Sequence, residues 1–157
     1  MSSRWSIELE SEAPAGRLFR AAFADWRNLG PKLLPDIFTD ISLVSGDGGS
    51  GSILQFNFTS AMPFSCMKEM IELLDHEKFE KKVVLLEGAG LGKKFESLKS
   101  YFKVKDNGSG CIINYEVTFV PVVGINVSDD FKIAEENIRQ MIKIVEGYLF
   151  TNPNDYA

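Results

Sequence analysis

The stretch VSGDGGSGSILQFNF, residues Val44 to Phe58, decides the fold. Its centre, Gly46-Asp47-Gly48-Gly49-Ser50-Gly51, fits G-x-G-x-x-G letter for letter. That pattern marks a dinucleotide or phosphate site only where it follows a strand and opens a helix, so that the helix N-terminus meets the phosphates. Here the residues after the loop alternate, with Leu54, Phe56 and Phe58 on one side, and read as a second strand. No Walker-type lysine follows. The loop is therefore read as a strand-to-strand turn that uses glycine for its positive φ.

The same period of two extends in both directions. Runs 37–45, 52–59, 64–74, 78–87, 93–105 and 110–120 read as strands, with hairpin turns at Asp75-His76-Glu77-Lys78 and Lys105-Asp106-Asn107-Gly108. Upstream, 4–11 alternates Trp5, Ile7 and Leu9 against Ser6, Glu8 and Glu10. Pro14 stands at a helix start, where its missing N–H is harmless, and Leu18, Phe19, Ala22 and Phe23 form an apolar stripe. Gly30-Pro31 interrupts, and a second short helix spans about Trp26 to Leu34, ended by Pro35. Ser128 is the expected N-cap of a final helix, with Asp129 and Asp130 at the positive end of its dipole. Its apolar face is Phe131, Ala134, Ile138, Met141, Ile142, Val145 and Leu149. The tail TNPNDYA reads as a polar end. One strand, two short helices, six strands and a long helix argue for α+β, not a parallel α/β fold.

A chain of 157 residues is one ordinary domain, and about 70% of its unfolded surface can be buried. Twelve Phe point to a wide aromatic interior. The net charge of −5, with only Lys81-Lys82 and Lys93-Lys94 as basic clusters, argues against a nucleic-acid partner. The start MSSRWSIELE has no apolar signal-like region, no run approaches the ~18 apolar residues of a membrane helix, and the expected location is the cytoplasm. Cys66 and Cys111 lack C-x-x-C spacing and are expected to stay reduced; no metal or cofactor is called for.

The stretches LGPKLLPDIF, SGDGGSGS, LLDHEKFEKKVVLLEGAGLGKKFES and VEGYLFTNPNDYA resemble the birch-pollen-allergen (Bet v 1) family. Within it the likeness is to intracellular class-10 pathogenesis-related proteins of the monocot, asparagus wound-induced type, carried by MSSRWS, DWRNLGPK and the ending DYA. The resemblance covers essentially residues 1–157, as a single ligand-binding domain. It implies a helix-grip fold: a curved seven-stranded antiparallel sheet around the long C-terminal helix, with two short helices after the first strand and a large apolar cavity inside. It further implies a defence-related, monomeric carrier or reservoir of small hydrophobic plant metabolites or hormones: cytokinins, brassinosteroids, flavonoids or phenolics.

Alternation then proposes the lining, because a sheet wrapped around one helix turns every second residue inward. Leu54, Phe56 and Phe58 come from one strand; Glu96, Leu98, Ser100, Phe102 and Val104 from another; Ile113, Tyr115, Val117 and Phe119 from the last. The odd rows of the central hairpin are Ser65, Met67, Glu69, Ile71, Leu73 and Phe79, Lys81, Val83, Leu85. Glu69 and Lys81 thus fall in apolar rows, opposite one another or one pair diagonal, and buried charges need partners. Either they form a polar anchor inside the cavity, or the rows are phased outward and both are solvated. Candidate ligand contacts are Phe56, Phe58, Phe64, Met67, Glu69, Lys81, Val83, Leu85, Leu98, Ser100, Phe102 and Tyr115, with Asn137 and Met141 from the last helix. Asn137 and Gln140 border its apolar face and either reach the cavity mouth or are solvated.

Two enzymatic alternatives come from the resemblance. Norcoclaurine synthases condense an amine with an aldehyde using Tyr, Glu, Lys and Asp; Glu69 and Lys81 match, whereas Met67 and the Lys99/Ser100 position do not. A ribonuclease set would draw on Glu96, Glu146 and Tyr148, but Leu54-Gln55 stands where its lysine is expected. The single histidine, His76, lies in a predicted turn and reads as solvated. The paired gate motifs of the family's abscisic-acid receptors are missing, the corresponding stretch reading EGAGLGKKF.

Overall fold

The computed structural model describes residues 2–157. Seven strands form one antiparallel sheet: β1 Ser3–Ser11, β2 Phe38–Ser45, β3 Ile53–Phe58, β4 Cys66–Asp75, β5 Glu80–Gly88, β6 Phe95–Asp106 and β7 Cys111–Pro121, in the order β1-β7-β6-β5-β4-β3-β2. Between β1 and β2 the chain forms α1 (Ala15–Phe19), runs on through a π-helical turn at Arg20–Ala24, and forms α2 (Trp26–Leu33). The long helix α3 is Ser128–Thr151. This is the helix-grip architecture that the resemblance implies, with the order of strands and helices that alternation predicts. Pro31 is carried within α2 and does not interrupt it.

The glycine-rich loop is closed on itself. Gly48 N–H donates to Ser52 Oγ at 2.8 Å, Gly49 N–H to Asp47 Oδ1 at 2.8 Å, and Gly51 N–H to the Ile71 carbonyl at 2.7 Å. The amides that a phosphate loop would aim at its ligand are thus spent on the protein's own acceptors. Glycine is required at Gly46, where φ is +91° and a Cβ would stand 2.4 Å from Ser52 Oγ.

Two inward assignments and one cross-strand pairing change in the structure, each beside a bulge. An irregularity between Phe95 and Ser97 turns Phe95 inward and leaves Glu96 exposed, and the even row is internal only from Leu98 onward. A second, between Ile71 and Leu73, puts Leu74 opposite Lys81, so Leu74 and not Leu73 joins the core. The third, between Lys68 and Glu69, sets Glu69 opposite Leu85. Glu69 and Lys81 are therefore neither opposite nor one pair diagonal: the pair Ile71–Val83 lies between them. A bulge inserts an extra residue and reverses the phase beyond it. Phe64 and Ser65 precede β4 and are not part of it. Ser128 is the first helical residue of α3 and not its cap; its amide is held by Asn126 Oδ1 at 2.9 Å.

Helix α3 comes close to β1, to α1 and to the π-helical turn, and stands away from the middle strands. Leu149 and Val145 anchor it with no exposed surface. Glu146 fastens it to the end of β1, accepting from the Ser11 hydroxyl at 2.6 Å and the Glu12 amide at 2.9 Å. The tail is not a free polar end. Arg17 donates to the carbonyls of Leu149, Asn152 and Asp155, and Arg20 to that of Tyr156. Tyr156 in turn donates its hydroxyl to Asp25 Oδ2 at 2.5 Å.

Candidate ligand-binding site

Cross-strand register builds the inner face of the sheet row by row. One row runs Leu74–Lys81–Phe102–Tyr115–Ile7 across β4, β5, β6, β7 and β1. The next is Ile71–Val83–Ser100–Val117–Trp5, and beyond it Leu54–Glu69–Leu85 and Phe56–Met67. Eleven of the sequence candidates therefore share one face: Phe56, Phe58, Met67, Glu69, Lys81, Val83, Leu85, Leu98, Ser100, Phe102 and Tyr115. Phe64 joins from the loop before β4, its ring edge-on to Phe58 at 5.3 Å. Met141 is half-buried on α3, whereas Asn137 and Gln140 are exposed.

Aromatic contacts divide this face into blocks. Phe102 is stacked on Tyr115 at 4.5 Å and touches Phe23 at 4.7 Å. Trp5, Phe95, Phe119 and Phe131 close the end near the start of α3. Phe38, Phe56, Phe58 and Trp26 form the opposite edge.

Two charges sit within this apolar face without meeting. Lys81 is 8% exposed and donates from Nζ to the Phe23 carbonyl at 2.9 Å. That carbonyl faces the break between the π-helical turn and α2, where the Asp25 amide reaches back to Arg20 and the normal helical ladder is interrupted. Burial pushes the Lys81 amine below its ordinary pKa, and the Glu69 charge opposes the shift. Burial likewise pushes the Glu69 carboxyl up, opposed by Lys81. Among the described residues no ion pair joins the two. Glu69 and Tyr115 are enclosed by protein yet keep water-accessible surface. Burial pushes the Tyr115 phenol to about 12, partly offset by the Ser100 hydroxyl beside it.

A cavity of about 320 Å³ opens between the glycine-rich loop, α2 and the β4–β5 turn, and reaches Lys81. Residues that sequence reasoning did not select, Trp26, Arg27 and His76 among them, line it. A wider groove of about 640 Å³ lies mostly on the outer face, where Glu80 is already engaged by Lys103 and Tyr101. The ribonuclease set is not assembled: Glu96 is exposed, Glu146 is occupied by Ser11 and Glu12, and Tyr148 donates to Asp155. No group of three or more His, Cys, Asp or Glu among the described residues forms a metal site.

A curved sheet gripping a long helix, with a few polar groups on an aromatic-rich inner face, is the construction of the helix-grip proteins. The chain belongs to the pathogenesis-related protein Bet v 1 family, whose profile matches residues 1–152. It is 41% identical to pathogenesis-related protein 1 of Asparagus officinalis over 99% of each chain. It is 31% identical to the major strawberry allergen Fra a 1-2 of Fragaria ananassa, covering 98% of this chain and 97% of that one. The probable intracellular pathogenesis-related protein T1 of Catharanthus roseus is 30% identical over 96% of each. Among solved structures, Ara h 8.0201 superposes with a TM-score of 0.83 at 23% identity, covering 96% of this chain and 99% of that one. Norcoclaurine synthase from Thalictrum flavum superposes with a TM-score of 0.75 at 25% identity, covering 96% and 87%.

Proposed function

We propose that the protein is a defence-related carrier or reservoir that holds a small hydrophobic plant metabolite between the sheet and α3. In this reading it acts as a monomer in the cytoplasm, and the guest is of cytokinin, brassinosteroid, flavonoid or phenolic type. The observation that carries the reading is Glu69: a carboxylate enclosed by protein, without an ion pair, yet keeping accessible surface on a mainly apolar face. A carboxylate on a poorly solvated, largely apolar face is held less well than in open water, and a donor on a guest would improve its environment. The distance of α3 from the middle strands supports the same reading. Apolar walls with few convergent polar groups are what small-molecule sites are made of. Isothermal titration with one compound from each of the four classes tests it: at least one binds saturably, and Glu69→Gln weakens the guest that carries a donor. Saturable binding by none of the four refutes the carrier reading.

A condensation activity is a second reading, favoured by one observation: Glu69 and Lys81 are both retained on the inner face, as in the norcoclaurine synthase resemblance. A buried amine with a lowered pKa is suited to acid–base or imine chemistry. Against it stand Met67, Ser100 and the commitment of Lys81 to the Phe23 carbonyl. Product formation from an arylethylamine and an aromatic aldehyde, lost in Lys81→Met, would favour this reading over simple carriage.

A further inference from the structure

We infer that the cavity between the glycine-rich loop, α2 and the β4–β5 turn is a second binding site, built for a flat aromatic acid whose carboxylate meets Arg27, Lys81 and His76. It adjoins the space bordered by Glu69, sharing Leu54, Ile71 and Lys81 of the inner face, but its lining includes neither Glu69, Met67, Phe102 nor Tyr115. At about 320 Å³ it lies at the lower end of the range of small-molecule pockets, roughly 300–1,000 Å³. Phe23, Trp26, Ile71 and Leu74 supply apolar walls.

The polar groups around it are unequally engaged. The acids are engaged to different extents: Asp25 takes the Tyr156 hydroxyl on Oδ2 at 2.5 Å and Asn28 Nδ2 on Oδ1 at 2.6 Å, whereas Asp47 takes the Gly49 amide on Oδ1 alone, at 2.8 Å. The donors are mostly open. Arg27 is half-buried and forms no ion pair among the described residues. Its guanidinium passes beside Gly48, with Nη2 3.7 Å from where a Cβ there would stand. Lys81 spends one proton on the Phe23 carbonyl and has two more, and His76 adds a ring N–H. Asp25 and Asp47 keep their charge and balance Arg27 and Lys81, so what the site offers is open hydrogen-bond donors, and these select a ligand that brings acceptors. The guanidinium fork matches a carboxylate bidentately.

Amide-detected NMR titration of the whole protein with 2-naphthoate and its neutral isostere 2-naphthamide tests the site. Naphthoate is expected to give saturable shifts centred on Arg27, Gly48, Gly49 and His76, and to bind about tenfold more tightly than the amide, the worth of one charge-assisted hydrogen bond. Arg27→Gln lowers naphthoate affinity by about the same factor and leaves the amide unchanged, while Arg27→Lys restores part of the loss. The spectrum of each variant reports its own folding. Equal affinity for acid and amide, insensitivity to Arg27→Gln, binding of neither probe, or shifts centred on Glu69 and Tyr115 would each overturn the assignment. The last outcome places the acid in the sheet–α3 space and so leaves the carrier reading standing.

Discussion

Replacing Glu146 by alanine separates a structural role from the catalytic one that the ribonuclease alternative would give it. The carboxylate accepts from the buried Ser11 at 2.6 Å and from the Glu12 amide at 2.9 Å, and the same Ser11 oxygen accepts from the Ala13 amide at 3.1 Å. Hydrogen bonds to a charged group contribute about 1.5–3 kcal/mol each, and the one to Glu12 lies at the low end because it is exposed. Alanine should therefore cost about 2–4 kcal/mol, with the Ser11 hydroxyl left short of an acceptor. For a domain of this size that lowers the melting temperature by roughly 6–12 °C. The comparison is Glu96→Ala, which removes an exposed side chain and should stay within about 0.5 kcal/mol of the parent. Urea denaturation of both variants at neutral pH, with the slope of the transition checked for constancy, reads the difference directly. If Glu146→Ala is as stable as Glu96→Ala, the carboxylate is not the tether described, and any catalytic loss on its replacement would have to be explained chemically.

Further outcomes follow from the buried groups. Because burial raises the Glu69 pKa, the unfolded chain releases its proton first as pH rises above about 4.3, and stability falls through the window up to the folded pKa. Glu69→Gln should remove that fall and leave the acid side unchanged, as measured by denaturation at pH values on either side of the window. Gly88→Ala should cost about 1–3 kcal/mol for its φ of +79° alone, and more because the new Cβ would stand 2.3 Å from the Cys66 carbonyl; its urea midpoint tells. In a spectrophotometric titration Tyr115 and Tyr156 should remain protonated at about pH 11, where a free tyrosine has ionised. Tyr156→Phe removes one of these two late steps and frees Asp25 Oδ2.

Alternation located every strand because each buries one face only, and it failed where a strand carries an extra residue. Leu73-Leu74, two apolar neighbours in an alternating run, was the visible sign of the bulge that put Leu74 opposite Lys81. Nothing comparable marks the irregularity near Glu96, where a charged residue follows an aromatic one as alternation allows. The anchor candidates Glu69 and Lys81 were legible as charges in apolar rows, but their separation was not, since it depends on those same bulges. The second cavity draws on α2, a loop and a turn, and contacts of that kind leave no periodic trace. Backbone carbonyls as partners are equally silent: neither the hold of Arg17 on the tail nor that of Phe23 on Lys81 can be read from residue types.

The π-helical turn at Arg20–Ala24 accommodates one residue more than a regular helix would use. Excising a single alanine there would rotate the Phe23 carbonyl by about 100° around the helix axis and carry it away from the lysine. The ammonium group would then have to seek Glu69, shed its proton or leave the interior. One surplus residue in a short helix thus fixes where the acceptor of the buried lysine lies, and a natural insertion or loss at this point would change the partner of that charge without altering the sheet.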